Sequence, residues 1–474
     1  LETRNLKTMK RLFGTDGMRG EAGRFPLDAQ TVRVVGRSLA EHLAEQAGGR
    51  APRIVIGRDT RESGAWLEAA LAEGARQTGA HCDAAGVITT PGVAYLARTL
   101  PADAGIVISA SHNPYQDNGI KIFAPSGRKL DDATERQIES DIRIAQSDSS
   151  SNAELMNPKA SAIVDEVASL AGAATLQARY LDYLAGEIGN GLSLDGLKMV
   201  IDCANGASSH LAPVLFQKLG ASVNAINNSP DGRNINLNCG SLHIEGLQQR
   251  VVEERADFGV AYDGDADRAL FVDGRGRLVD GDATLWAMAQ YMDERDNLTG
   301  KTVVATLMSN IGLEIALRSR GLRLLRTDVG DKYVLEELMR AGAMLGGEQS
   351  GHIIFPRLSL AGDGMMTTLC LLRAISETGR KLEELTEGFV RYPQVLVNVR
   401  VREKIPFEDV ESIAHAARET EMKLGESGRL LLRYSGTEPL ARVMIEGERQ
   451  DEIESYAQAL ASTIREAIGA EEQG

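Results

Sequence analysis

The run GIVISASHNP, Gly105 to Pro114, decides how the chain is read. Three apolar residues, Ile106, Val107 and Ile108, give way at once to two serines, a histidine, an asparagine and a proline. A buried strand that ends in polar turn formers delivers side chains to the carboxyl edge of a sheet, where α/β enzymes keep their chemistry. Ser111 therefore reads as a hydroxyl held at the mouth of a cleft, with His112 beside it and Lys121 ten residues on. The plainer reading is a strand-to-helix turn with a capping hydroxyl. A carboxylate-rich loop far downstream, YDGDADR at Tyr262–Arg268, weighs against it, because it offers the metal such a serine would need.

Outward from that run the same pattern recurs. Arg53–Asp59 precedes an amphipathic stretch at Gly64–Thr78, and Lys198–Gly206 precedes another at Ala207–Leu219; Asp257–Asp263 and Lys301–Thr306 are further short apolar runs. Strands alternating with helices of about 10–15 residues imply βαβ units. A chain of 474 residues is too long for one core, and its length suggests about three domains. The expected fold class is α/β: three similar α/β domains with mixed, mostly parallel sheets, followed by a smaller α+β domain. Their expected bounds are 9–157 with the serine, 158–256, 257–373, and 374–474, with the acidic loop near the boundary of the second and third. The serine-rich Gln146–Ser161 reads as a linker. The last region reads as a helix at Ala374–Phe389, strands at Gln394–Val401 and within Gly428–Val443, and a helix at Asp451–Ile468.

Composition narrows the function. A net charge of −15 argues against nucleic-acid or membrane-surface binding, which calls for a basic face. It leaves small anionic ligands open, since a few clustered cations can dominate a cleft. The four cysteines, Cys82, Cys203, Cys239 and Cys370, form no CxxC pair, which speaks against zinc or a redox dithiol and suits a cytoplasmic protein. No signal-peptide stretch or run of about 20 apolar residues is found. Met9 is a candidate native start, the alternative being that Leu1–Thr8 belong to the natural chain.

Several segments carry chemistry. Asp263, Asp265 and Asp267 alternate directly after a strand-like run, and three oxygen donors at that spacing can converge on a hard dication such as Mg²⁺. An EF-hand also begins in this way, but it needs glycine at position 6 and glutamate at 12, where this chain has Arg268 and Gly274. A solvated acidic turn remains the plain alternative. Arg433–Arg442, RYSGTEPLAR, offers two arginines, two hydroxyls and backbone N–H groups around Gly436 as an anion nest. A simple turn between strands is its alternative. In GGEQSGH, Gly346–His352, Glu348 and Ser350 suit a sugar's hydroxyls, and His352 is a candidate for proton transfer. FGTDGMRG at Phe13–Gly20 is a glycine-rich turn holding Arg19. Gly300-Lys301-Thr302 is no P-loop, since Arg295 stands where the first glycine is required, and no G-x-G-x-x-G opens a helix after a strand.

FGTDGMRG, GIVISASHNP with NGIK behind it, YDGDADR, GGEQSGH and RYSGTEPLAR occur in the order seen in the α-D-phosphohexomutases. The chain resembles that family from about Phe13 to Gly447. SASHNP, NINLNCGS at Asn234–Ser241, GEQSGH and the ending RVMIEG are more similar to its amino-sugar branch than to the phosphomannomutase/phosphoglucomutase branch. The resemblance implies a central cleft and an intramolecular phosphotransfer on a sugar phosphate. Ser111 would carry the phosphoryl group as a phosphoserine, and Asp263, Asp265 and Asp267 would bind one Mg²⁺ per chain with it. Arg19, Lys121 and Arg268 would surround the transferring phosphate, with His112 beside the serine and Lys121 and His352 moving protons. Glu348, Ser350, Asp331 and Lys332 would hold the sugar, and Arg433, Ser435, Gly436, Thr437 and Arg442 the phosphate not reacting. A hexose 1,6-bisphosphate would act as primer, and the chain would work as a monomer or homodimer. Three departures stand out: Tyr434 where proline is usual, Leu242 where threonine is usual, and a variant specificity loop at Asp328–Lys332. A phosphomannomutase/phosphoglucomutase, a metal-dependent sugar phosphatase and a non-catalytic sugar-phosphate binder are the rival readings.

Overall fold

The computed structural model describes residues 11–14, 16–148, 163–435 and 438–470. The chain divides into two compact units, Leu1–Leu307 with Leu325–Glu387, and Met308–Leu324 with Gly388–Gly474. Met9 and most of the expected linker, from 149 to 161, lie outside the described residues; Gln146–Asp148 close the helix Asp132–Asp148 instead.

The first sheet has six strands in the order Phe13–Gly14, Gly17–Glu21, Asp117–Phe123, Ala104–Ile108, Arg53–Arg58, His81–Val87. Ala104–Ile108 is buried along its whole length, as its unbroken apolar run requires. It runs parallel to Arg53–Arg58 and antiparallel to Asp117–Phe123. Helices Gly64–Arg76 and Thr90–Thr99 make the crossovers, the second capped by Thr89, whose Oγ1 accepts from Gly92 N at 3.1 Å. The second sheet runs Leu278–Val279, Ala269–Asp273, Phe258–Tyr262, Lys198–Asp202, Ser222–Ile226. Lys198–Asp202 pairs in parallel with Ser222–Ile226 and Phe258–Tyr262, whereas Ala269–Asp273 pairs antiparallel with Phe258–Tyr262 and Leu278–Val279. Antiparallel pairing thus takes a larger share of both sheets than the expected parallel preponderance. The acidic loop is the turn of the Phe258–Tyr262/Ala269–Asp273 hairpin, so it belongs to the second sheet rather than to the start of a third region. A smaller sheet orders Arg323–Thr327, Thr302–Thr306, Gly346–Gly347 and Ile353–Ile354.

The other unit holds an antiparallel sheet, Gln394–Arg400, Leu440–Glu446, Arg429–Tyr434, packed against helices Glu411–Leu424 and Gln450–Ile468. The helix expected at Ala374–Phe389 is displaced. Asp363 caps a helix at Gly364–Thr378 by accepting from Met366 N at 3.0 Å, and Gly379, with φ of 67°, ends it. A single turn, Leu382–Leu385, follows. Among the described residues no helix is long and apolar enough to cross a membrane.

Helices Ala29–Gln46 and Gly64–Arg76 approach backbone to backbone at two glycines. A Cβ on Gly36 would lie 2.1 Å from Leu71 O, and one on Gly74 would lie 2.0 Å from Arg33 O. Alanine is favoured over glycine inside a helix by roughly 1 kcal/mol, but neither carbonyl can yield without moving a helix. Gly74→Ala should therefore destabilise, by about 1–3 kcal/mol as overpacking commonly does; thermal unfolding followed by circular dichroism should show a lower Tm.

Candidate active site

Ser111 lies three residues past the end of Ala104–Ile108, with φ of 52°. A non-glycine residue in the left-handed region costs roughly 1–3 kcal/mol and persists only where its surroundings impose it. Here Ser111 N donates to Ser109 Oγ at 3.0 Å. Ser111 O accepts from Arg61 Nη2 at 3.2 Å and from Asn236 Nδ2 at 2.9 Å. The same two nitrogens donate to Asn113 O, at 2.6 and 3.0 Å. Arg61 is fully buried and ion-paired with Asp59. Arg61 is in no segment singled out from sequence, and Asn236 is there only as part of NINLNCGS.

The serine hydroxyl donates to Asp263 Oδ2 at 2.5 Å, and His112 Nδ1 is 3.4 Å away. Asp263, Asp265 and Asp267 are buried, and each offers a carboxylate oxygen within 4.8 Å of the others. The chain makes this crowding by turning sharply: Ala266 has φ of 55°, and its N–H donates to Asp263 O at 3.1 Å. Asp263 Oδ1 accepts from Arg268 N at 3.2 Å. Asp265 Oδ2 accepts from Thr90 Oγ1 at 2.5 Å and Lys121 Nζ at 2.8 Å, whereas buried Asp265 Oδ1 has no hydrogen-bond partner among the described residues. Burial, reinforced by the charges of Asp267 and Asp265, pushes the Asp263 carboxyl well above its ordinary range. Against the cost of burial, Lys121, His352 and Arg268 hold Asp267 well below it. Three hard oxygen donors, one of them unpartnered and one repelled by its neighbours, fit a divalent cation. The cluster can hold a metal, with Ser111 Oγ as a further oxygen.

Cations surround this cluster. Lys121 stands opposite Val107 in the antiparallel register and is buried, with Asp265, Asp16 and Asp267 at 2.8, 3.0 and 3.5 Å. Although burial disfavours its charge, Asp16, Asp265 and Asp267 raise Lys121 well above its ordinary value, so it remains an ammonium. Arg19 pairs with Asp16. Arg268 Nη1 donates to His112 Nδ1 at 3.2 Å, and burial followed by Arg268 and Arg19 lowers His112 to about 4. His112 is thus a neutral acceptor at pH 7. His352, 3.7 Å from Asp267 and 4.0 Å from Asp331, is raised to about 9 by Asp267 first among the carboxylates, against its own burial.

The turn between Gly346–Gly347 and Ile353–Ile354 carries Glu348 and Ser350. Glu348 N donates to His352 O at 2.9 Å, closing the turn. Glu348 Oε1 accepts from Gly330 N at 3.2 Å, and buried Ser350 Oγ has no partner among the described residues. Asp331 and Lys332 are engaged elsewhere: Asp331 pairs with Lys129 at 2.7 Å, and Lys332 with Asp132 at 2.7 Å. Lys129 also reaches Asp16 at 2.7 Å and was missed from sequence. It lines a cavity of about 500 Å³ together with Asp331, Lys332 and Phe123.

In the unit of the C-terminal sheet, Arg433 and Arg442 stand directly opposite each other on paired strands. Like charges at such positions are unfavourable unless an anion joins them. Arg442 Nη2 donates to Ser435 Oγ at 3.4 Å, and its buried Nε has no partner among the described residues. Gly436 and Thr437 lie outside the described residues. Tyr434 has a structural reason: its ring stacks on Phe407 with centroids 4.2 Å apart, and its hydroxyl donates to Ile405 O at 2.5 Å.

Comparison with known proteins defines the class. Models of the phosphoglucomutase/phosphomannomutase family match in order: alpha/beta/alpha domain I at residues 10–148, domain II at 178–276, domain III at 280–392 and the C-terminal domain at 396–463. A phosphoglucomutase/phosphomannomutase family protein from Burkholderia thailandensis shares the fold, with a TM-score of 0.74 at 22% identity over 97% of this chain and 98% of its own. N-acetylphosphoglucosamine mutase of Aspergillus fumigatus, solved with GlcNAc-6P and magnesium, has a TM-score of 0.62 at 19% identity, over 99% and 98% of the two chains. Curated relatives narrow this further. The phosphoglucosamine mutases of Solibacter usitatus and Caldicellulosiruptor bescii are 50% and 47% identical, each over 97% of this chain and over 99% and 100% of their own. The chain belongs to the phosphoglucosamine mutase family, within the α-D-phosphohexomutases.

A cation that relieves the carboxylate repulsion must stabilise the fold. Adding Mg²⁺ to chelator-stripped protein should raise its Tm, and Asp263→Asn should remove most of that rise. An equal rise in the variant would exclude this cluster as the site.

Proposed function

We propose that the chain interconverts glucosamine 6-phosphate and glucosamine 1-phosphate through a phosphoserine at Ser111 and a bound 1,6-bisphosphate. One observation carries the reading: a serine hydroxyl held in a left-handed turn, 2.5 Å from a buried three-aspartate cluster, with a buried ammonium against the same cluster. Phosphoryl transfer asks little of a protein beyond a nucleophile, positioning and charge neutralisation. A phosphoserine carries about −1.5 to −2, and beside three aspartates it requires compensation. One Mg²⁺ per chain, held by Asp263, Asp265, Asp267 and the phosphoserine, would supply that neutralisation.

In the first half-reaction the free hydroxyl of a sugar monophosphate displaces the phosphoryl group from Ser111. The P–Oγ bond breaks, a P–O bond to the sugar forms, and the hydroxyl proton ends on Oγ. Lys121 and His352 would take part in moving the proton, as the acid that delivers it to Oγ in the protonated forms described above, while Arg19 and Arg268 would offset charge on the transferring oxygens. The bisphosphate then reorients and the steps reverse on its other phosphate. Glu348 and Ser350, with Asp331 and Lys332 on the adjoining loop, would orient the sugar. Arg433, Ser435, Gly436, Thr437 and Arg442 would hold the phosphate that is not reacting. A hexose 1,6-bisphosphate would prime the unphosphorylated enzyme. Four free cysteines fit a cytoplasmic setting, and the chain would act as a monomer or homodimer.

Assayed with Mg²⁺ and glucose 1,6-bisphosphate, kcat/KM should be clearly higher for glucosamine 6-phosphate than for mannose or glucose 6-phosphates. Ser111→Ala should abolish turnover; full activity in that variant would sink the relay. Arg433→Ala, which removes a charge-assisted contact, should raise KM by about tenfold or more with a smaller effect on kcat.

A further inference from the structure

We propose that Asn236 is a positioning residue that holds Ser111 in its reactive left-handed turn, so that a loop of the second sheet completes the nucleophile of the first. This rests on the reading that Ser111 carries the phosphoryl group.

Asn236 lies between the strand Ser222–Ile226 and the turn Gly240–Leu242, outside the sheet that carries the serine. Its amide nitrogen bonds the carbonyls of Ser111 and Asn113, on either side of His112, at 2.9 and 3.0 Å. Arg61 Nη2 bonds the same two carbonyls from the serine's own sheet. The bend is therefore gripped by one nitrogen from each sheet. A nitrogen that carries two hydrogens can give each carbonyl a separate donor.

The asparagine is itself fixed. Its backbone N–H donates to Ala204 O at 2.9 Å, and its φ is 58°, a conformation asparagine tolerates better than most residues. Around it, Asn205 Nδ2 donates to Asn234 O at 3.3 Å, and Gly240 N donates to Asp202 Oδ2 at 3.0 Å. The acidic loop packs on the same point. A Cβ on Gly264 would lie 2.4 Å from Ser111 O and 2.9 Å from Asn236 Nδ2. The serine carbonyl, the asparagine amide and the backbone between Asp263 and Asp265 thus meet with no room for another atom. The serine hydroxyl bonds Asp263, so an error in the turn would shift that hydroxyl against the carboxylates that must share its phosphate. A misplacement of about 1 Å at a reacting group can cost about a hundredfold in rate.

The test uses Asn236→Gly, which removes the amide and keeps a residue suited to positive φ, and Asn236→Asp, which keeps the shape and sets a carboxylate against two carbonyl oxygens. Phosphorylation of Ser111 by glucose 1,6-bisphosphate is followed by intact-protein mass, beside kcat and KM for glucosamine 6-phosphate and the Tm of each protein. Both variants should fall about a hundredfold in kcat and in labelling rate, with KM within about twofold of wild type. Labelling and kcat within threefold of wild type in either folded variant would overturn the positioning role. So would a raised KM at unchanged kcat, or a loss that disappears well below the variant's own Tm. Wild-type labelling is read first: without it the relay itself falls and the positioning role falls with it, whereas labelled wild type and undiminished variants overturn the positioning role alone.

Discussion

Three carboxylates buried within 4.8 Å of one another set the terms for everything around them. At an effective dielectric constant near 20, each such pair repels by about 3–4 kcal/mol, a large fraction of a typical domain's net stability of roughly 5–15 kcal/mol. The protein answers with cations it cannot otherwise explain. Lys121 sits on a strand interior, where a lysine is costly to bury, and it is there because Asp265, Asp16 and Asp267 face it. Arg268 turns its backbone to Asp263 and its guanidinium to His112. One carboxyl is still left displaced upward and one oxygen unpartnered. That residual charge makes the cluster one that can hold a dication.

Much of this was legible in the residues themselves. The apolar run before Ser111 is a buried strand because nothing polar interrupts it, and the alternating aspartates fall on a turn because Phe258–Tyr262 and Ala269–Asp273 are both continuous apolar strands. What stayed hidden depends on distance in sequence. Arg61 and Asn236 read as an ordinary charged residue after a strand and one asparagine among several; their meaning lies in two carbonyls 52 and 125 residues away. Lys129 likewise acquires its role only when Asp16 and Asp331 arrive on either side. The displaced helix at Gly364–Thr378 had a local signal, Asp363 before a glycine, that apolar periodicity alone does not weigh. Lys332, which its motif makes a candidate sugar contact, pairs with Asp132 in this structure, a partner its motif does not announce.

The C-terminal sheet applies the same electrostatics with the opposite sign. Arg433 and Arg442 face each other across paired strands as the aspartates face each other in a hairpin turn. Each unit therefore contains a cluster of like charges that its own side chains leave incompletely matched, one suited to a dication and the other to an anion. Neither cluster is good for stability in isolation, since like charges held close together repel.

The left-handed backbone at Ser111 also limits which amino acid can supply a hydroxyl at this position. Threonine carries the same hydroxyl, yet its branched Cβ is poorly tolerated at positive φ. The turn thus excludes by backbone sterics a residue that hydroxyl chemistry alone would allow. A serine-to-threonine exchange at this position therefore meets a steric cost in the backbone before any substrate is bound.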